Sequence, residues 1–297
     1  MNHGNGMPGL FDTELIRVYE DENLAKIYGK YRLPYCSSVP KEIMQFMREK
    51  SPANNQDGRY ARMLDVGCGC GTLSTQMFSK YFQSILGVDI SEAKIRQAKL
   101  LNKSENITFE VIHSHKFPVE DNSIDLITSG TSIHFLDIKE FEKECQRVLK
   151  PGGICAAFAL NSRRARSINI HENDSSCISL EPMIDQFFVD IEAHPCNFES
   201  LDGNRPIFDR IQNPSKRWLK EIVSEKELSL QKIKDTFQTT GEYVMMKKRK
   251  PTVDPLERLA QNIKKGLQLD QALVDEDIML SVELVMSTFV FIKDYLN

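Results

Sequence analysis

Residues 63–73 read Met-Leu-Asp-Val-Gly-Cys-Gly-Cys-Gly-Thr-Leu. A short apolar run ends in the carboxylate of Asp65, passes through Gly67, Gly69 and Gly71, and opens into a segment of helical pattern. Glycine tolerates left-handed backbone angles and has no Cβ, so such a turn lets main chain come close to a ligand. The helix start that follows offers N–H groups with no partner inside the helix. The pattern predicts a nucleotide-like cofactor pocket at the end of a strand.

Downstream of this turn the chain alternates. Residues 62–66 read as strand and 72–80 as helix; 84–90 read as strand, and Ser91 caps a helix carrying Ile95, Ala98 and Leu101. Residues 107–112 and 124–128 are further strands, and Asp137 caps a helix with Ile138, Phe141, Cys145 and Val148 on one face. Lys150-Pro151-Gly152-Gly153 stops that helix before a strand over 154–160. Short apolar strands between amphipathic helices imply right-handed βαβ units, hence an α/β, Rossmann-like, doubly wound and mostly parallel sheet.

Upstream, residues 11–32 place Leu15, Val18, Tyr19, Leu24, Ile27, Tyr28 and Tyr31 at near-helical spacing, and a second helix covers 40–50. Residues 51–58 have the composition of a linker. Beyond residue 160 the alternation lapses. Residues 161–215 are polar and irregular with one helix over 182–191, which reads as an insertion over the sheet. A strand over 218–223, helices begun by Ser229 and Asp254, and a final strand over 285–292 complete the chain. The expected organisation is one domain over 1–297. It has an N-terminal helical cap (1–58), a cofactor-binding core (59–160), a cap insertion (161–225) and a C-terminal part of the core (226–297).

Bulk properties narrow the function. The 297 residues are 41% hydrophobic and 27% charged, enough apolar material for a sizeable core. A net charge of −4 makes no electrostatic case for nucleic acid, and Lys247-Lys248-Arg249-Lys250 reads as a solvated run. No stretch reaches the roughly 20 uninterrupted apolar residues of a membrane helix. The N-terminus lacks an apolar signal core, and seven scattered cysteines suit a reducing compartment, so a cytoplasmic location is expected. Cys68 and Cys70 stand too close together for the usual zinc pair, and no metal site is expected.

Three nucleotide cofactors compete for the turn. A dinucleotide fingerprint requires glycine where this chain has Thr72, and no phosphate-loop lysine follows. Asp65 precedes the glycines, where a pyrophosphate would be repelled and a cationic sulfonium or ammonium attracted. Asp89 ends the next strand 18 residues beyond Gly71, close to the offset of about 20 for a ribose-binding carboxylate. A third strand end carries Thr128, Ser129, Gly130 and Thr131. Together these residues favour S-adenosyl-L-methionine.

Four stretches then resemble the class I S-adenosylmethionine-dependent methyltransferases: 64–71 (Leu-Asp-Val-Gly-Cys-Gly-Cys-Gly), 87–91 (Gly-Val-Asp-Ile-Ser), 117–127 and 147–153 (Arg-Val-Leu-Lys-Pro-Gly-Gly). Tyr28-Gly-Lys-Tyr-Arg32 and Ser132-Ile-His-Phe135 resemble a small-molecule branch that includes trans-aconitate-type carboxyl methyltransferases. The resemblance implies about seven strands with the last antiparallel. It puts Gly67, Gly69 and Asp65 beside the methionine part of the cofactor, Asp89 on the ribose, and Ile90 against the adenine. Ser114 and His115 would lie at the adenine edge, where His113 replaces the acid often found there. Tyr28 and Arg32 would close the pocket, and Ser129 would line it from the third strand end.

Methyl transfer from a sulfonium needs alignment and exclusion of water more than it needs a base. Where the acceptor must lose a proton, His134 is the candidate catalytic residue. His171 and His194 fall in the insertion and are candidates for the acceptor site. Arg163, Arg164 and Arg166 could meet an acidic substrate or be solvated. The expected activity is methyl transfer to a small-molecule acceptor, a carboxylate among the candidates, with no nucleic acid or membrane partner. A protein or RNA acceptor and a non-catalytic S-adenosylmethionine-binding role are the alternatives.

Overall fold

A computed structural model describes residues 17–50, 57–167, 178–193 and 202–294, with the side chains of 162 and 163 excepted. His171, His194, Leu15, most of the 51–58 linker and the Arg163 side chain lie outside the described residues. The strands are β1 (Tyr60–Val66), β2 (Phe82–Asp89), β3 (Ile107–Val111), β4 (Ile124–Gly130) and β5 (Leu149–Ser167). The later part of the chain adds β6 (Arg217–Trp218), β7 (Ile222–Ser229) and β8 (Met279–Ile292).

They form one sheet in the order β3-β2-β1-β4-β5-β8, with β6 and β7 both on the outer edge of β8. The first five are parallel to one another, and β8 is antiparallel to β5, β6 and β7. Among the described residues eight strands therefore fill the seven positions expected, because the edge position is broken between Trp218 and Ile222. Strand order reverses between β1 and β4, the place where an open parallel sheet leaves a crevice at its carboxyl ends. Asp65 pairs in register with Gly87 on one side and Thr128 on the other, which brings the three strand ends level.

Nine helices stand among the described residues: α1 (Glu22–Tyr31), α2 (Val39–Lys50), α3 (Glu92–Leu101), α4 (Ile138–Val148), α5 (Glu181–Asp190), α6 (Arg205–Arg210), α7 (Leu230–Phe237), α8 (Gly241–Arg249) and α9 (Pro255–Gly266). Side chains of Asp21, Ser91, Asp137, Ser229 and Asp254 cap α1, α3, α4, α7 and α9, each accepting from first-turn N–H groups. One sheet face buries Ile43 and Met47 of α2 with Ile95 of α3; the other buries Phe141, Cys145 and Val148 of α4. A third cluster joins α5, α7 and α9 beside the extended ends of β5 and β8, through Phe187, Phe237, Ile263 and Val282.

Several expected boundaries move. The helix expected over 72–80 is a 3-10 helix at Thr75–Tyr81. Its entry is drawn inward by the hydroxyls of Ser74 and Thr75, which donate to Asp65 at 2.7 and 2.6 Å. Strand β5 starts before the expected stop at Lys150 and runs on through Ser167. Polar residues at 161–167 look irregular in sequence, yet Arg164 pairs with Glu283 opposite it on β8 (2.8 Å), and Arg166 reaches across β8 to Glu225 of β7 (2.6 Å). Strand β8 likewise begins at Met279 rather than at 285. Helix α8 was not anticipated: it opens on glycine and ends in the basic run. Of that run, Lys250 and Arg249 pair with Glu192 at 2.8 and 3.2 Å. No helix among the described residues is long and apolar enough to cross a membrane.

Candidate cofactor and acceptor site

The carboxyl ends of β1, β2 and β4 surround a cavity of about 200 Å³, roofed by α1 and extended toward α5, α7 and α8. Gly67 and Gly69 have φ angles of +70° and +57°, both left-handed. A Cβ on Gly67 would stand 2.5 Å from the Ser132 Cβ, so a close approach forbids a side chain there as well. At Gly69 the nearest atom to such a Cβ is Lys94 Cδ at 4.0 Å. The Gly69 main chain thus borders open space, and its N–H donates to Asp89 Oδ2 at 2.8 Å. The other Asp89 oxygen accepts from Ser91 N–H at 2.9 Å. Each carboxylate oxygen keeps a lone pair in excess of these bonds, able to accept from a ligand hydroxyl.

Of the residues singled out in the sequence, Tyr28, Arg32, Gly67, Gly69, Asp89, Ile90, His115 and His134 face this one cavity. Asp65, Ser114 and Ser129 do not. Asp65 is fully buried beneath the glycine turn, where Ser74, Thr75 and Thr128 all donate to it (2.7, 2.6 and 2.7 Å). Burial pushes its carboxyl above the ordinary value, against the pull of these three hydroxyls. Ser129 is buried and lies 2.6 Å from Ser132. Ser132 donates its one proton to the Val66 carbonyl at 2.9 Å, so Ser129 is the donor of that pair. Ser114 accepts from Lys116 N–H at 3.3 Å within its own turn. His134 sits in a 3-10 turn at Ile133–Phe135, 5% exposed, with its ring 4.0 Å from that of Phe135.

The cavity also holds residues that the sequence reading missed. Lys94 projects from the first turn of α3 with its ammonium 3.7 Å from the Tyr19 ring and 4.8 Å from that of Tyr28. Burial opposes its charge, but Asp89, Tyr28 and Tyr19 outweigh it and hold the group above the ordinary lysine value. Arg32 stacks over the other part of the ladder, its guanidinium 4.8 Å from the Tyr28 ring. Its Nε and the Thr72 hydroxyl are buried donors with no hydrogen-bond partner, and both face the cavity. Tyr19 ties the roof down. Its carbonyl accepts from the Ser91 hydroxyl at 2.7 Å, and its own hydroxyl accepts from Gly241 N–H at 3.1 Å.

Near the end of β4, Tyr35 donates to the Gly130 carbonyl at 3.2 Å while its ring meets Phe158 edge-on at 5.4 Å. Burial pushes the Tyr35 phenol well up, so it remains protonated. Thr131, next in the chain, holds φ at +49°, uncommon for a β-branched residue, and its N–H donates to the Phe158 carbonyl at 2.7 Å. From the second half of the chain, Phe188, Thr236, Phe237, Thr240 and Glu242 complete the wall. One local signal existed for Lys94, three residues after the Ser91 cap. None existed for 236–242, which reach the cavity across some two hundred residues of sequence.

Comparison with known proteins bears on these residues. Residues 64–157 match the family model described as the methyltransferase domain. Over 143 residues the chain is 29% identical to the 2-methyl-6-phytyl-1,4-hydroquinone methyltransferase of Synechocystis, covering 48% of this chain and 42% of the relative. A ubiquinone biosynthesis O-methyltransferase of Nitrobacter winogradskyi is 33% identical over 105 residues, 34% of this chain and 39% of the relative. The chain thus spans under half the length of each of these relatives. Among solved structures, a candidate type II methyltransferase of Anaeromyxobacter dehalogenans superposes with a TM-score of 0.64 at 18% identity. That match covers 89% of this chain and 99% of that one, a likeness of fold. Residues 64–157, which frame the glycine turn, are thus similar to a methyltransferase domain, and the sheet around them has the fold of that solved structure.

Proposed function

We propose that the protein transfers a methyl group from S-adenosylmethionine to a small-molecule acceptor. The observation that carries this reading is a single cavity shared by the glycine turn, Asp89 and the buried side chains of α5 and α7. An acceptor that reaches the donor has to fit among them. The names of the hydroquinone and ubiquinone-pathway relatives also favour a small molecule over RNA or protein.

The residues fit the donor. Asp89 has acceptor capacity left for ribose hydroxyls, and Ile90 and His115 offer flanks for the adenine. The unpartnered donors on Arg32 and Thr72 suit the carboxylate of the methionine end. Asp65 acts from below, holding Ser74, Thr75 and Thr128 so that the turn keeps its shape. When bound, S-adenosylmethionine supplies a methyl on cationic sulfur: the S–CH3 bond breaks as the acceptor–CH3 bond forms, leaving a neutral thioether. An acceptor that carries a proton releases it, and His134 is the residue we assign to take it. Half-buried Tyr28, Phe135 and Tyr35 help exclude water around the reacting atoms. The four buried free cysteines among the described residues, Cys68, Cys70, Cys145 and Cys155, accord with a reducing cytoplasmic setting.

Saturating S-adenosylmethionine should raise the melting temperature, and Asp89→Ala should abolish that rise. Labelled methyl should enter a low-mass product when the protein is incubated with a metabolite extract, as read by mass spectrometry. Label appearing solely in RNA or protein, or in nothing while the donor binds, would refute the small-molecule reading.

A further inference from the structure

The far end of the cavity differs chemically from the donor end. Leu33, Leu160, Phe188 and Phe237 face it from four separate segments, and Leu33, Phe188 and Phe237 are each at most 7% exposed. Leu33, Thr236 and Phe237 also border a second gap of about 10 Å³, closed on its other sides chiefly by Ile184, Ile233 and Val282. The one polar side chain around this gap is Thr236, whose hydroxyl lies within hydrogen-bond reach of the Lys232 and Tyr31 carbonyls (2.9 and 3.2 Å). A buried water needs two to four polar partners, so the gap is dry, with room for about one methyl-sized group.

Charge points the same way. Arg164 and Arg166 are paired with Glu283 and Glu225 on the exposed sheet edge and do not face the cavity. Among the described residues, the lysines and arginines facing the cavity are Arg32 and Lys94, both stacked on the tyrosines of the roof. Glu242, 5% exposed, adds a carboxylate to the same wall. A di- or tricarboxylate against Phe188 and Phe237 would lose its hydration without gaining a counter-charge there.

We propose that the methyl acceptor is a molecule of the alkylphenol kind, one small reacting group on an apolar body, whose short apolar substituent lies against Leu33, Phe188 and Phe237 at the far end of the cavity. This rests on the methyl-transfer reading, since it places the acceptor in the donor's cavity. Phe237 is the specificity residue: its ring borders both spaces and stacks on Phe187 at 5.1 Å.

Calorimetry on protein saturated with S-adenosylhomocysteine tests it, with 4-methyl-, 4-butyl- and 4-octylphenol as probes and citrate as the polyanion. Affinity should rise at least tenfold from the methyl to the butyl compound and gain nothing further with the octyl, with no binding of citrate. In Phe237→Ala the preferred chain should lengthen while S-adenosylhomocysteine binding is unchanged. If that variant does not fold, the chain-length series on the unaltered protein decides alone. Affinity independent of chain length, binding of citrate, or no alkylphenol binding to protein that holds S-adenosylhomocysteine would overturn the proposal and leave the methyl-transfer reading standing. Failure of S-adenosylhomocysteine itself to bind would remove both.

Discussion

Each half of the molecule holds one carboxylate away from most of the solvent, Asp65 buried and Asp275 half-buried, and the two are stabilised by opposite means. Beneath the glycine turn, Asp65 is surrounded by neutral hydroxyls from Ser74, Thr75 and Thr128, and burial lifts its pKa. Beside α7 and α9, Asp275 is clamped by Lys234 at 2.6 Å and Lys264 at 2.8 Å. Burial pushes the Asp275 carboxyl up as well, but the two ammonium groups win and hold it below its ordinary value. Hydroxyls orient a turn without placing full positive charge under a cationic donor. Ammonium groups fasten helices together where no ligand has to be considered. The first half uses its polar groups for geometry, the second for cohesion.

Replacing Asp275 by alanine should break this contrast most severely, since buried Lys264 and half-buried Lys234 would lose their counter-charge. We expect a loss of about 4 kcal/mol in denaturant titration, and an unchanged S-adenosylmethionine affinity in whatever protein remains folded. Asp65→Ala, which strands three hydroxyls, should cost about 3 kcal/mol. Unlike the first variant it should also weaken donor binding, as calorimetry would show.

Acidification should separate the halves by sign. Asp65 is held above its unfolded value, so its contribution is most favourable at low pH and is lost as pH rises through its folded value. Asp275 is held below, so its contribution is present above the ordinary carboxylate range and is lost as pH falls through its folded value. Stability measured against pH should therefore fall less steeply toward acid in Asp275→Asn, and more steeply in Asp65→Asn, than in the unaltered chain. Equal slopes in all three would contradict the assignment. The smallest effect should come from Tyr19→Phe. It removes the acceptor of the Gly241 N–H and should cost about 1 kcal/mol, seen as faster hydrogen exchange in residues 17–33.

The same division explains what could be read from the sequence. The donor half is built from local rules: strand, acid, glycines, cap and helix follow one another within thirty residues. Asp65, Gly67, Gly69, Asp89 and Ser91 were therefore legible in order. Even there the role of Asp65 shifted. An acid before the glycines is visible in sequence, but three hydroxyls converging on it from 74, 75 and 128 are a tertiary fact. The second half is built from contacts over long separations, and its polar edge strands imitate loops. Arg164 and Arg166 make an irregular-looking stretch until their ion pairs to Glu283 of β8 and Glu225 of β7 are seen. Phe237 looks like an ordinary core residue of an amphipathic helix, and most of its contacts make it one.

Arg32 and Leu33 are neighbours in the chain, yet one faces the donor end and the other the apolar gap. The carbonyl of Tyr31 just before them accepts from Lys232 and Thr236 of α7, each at 3.2 Å. The end of α1 is therefore moored to the helix that carries Phe237. We expect the two ligands to bind cooperatively: a donor that orders Arg32 also positions Leu33 and Phe237, so the acceptor meets a prepared wall. Such coupling is reciprocal, and acceptor should tighten donor by the same factor. Equal donor affinities with and without a bound alkylphenol would show that the shared mooring transmits nothing.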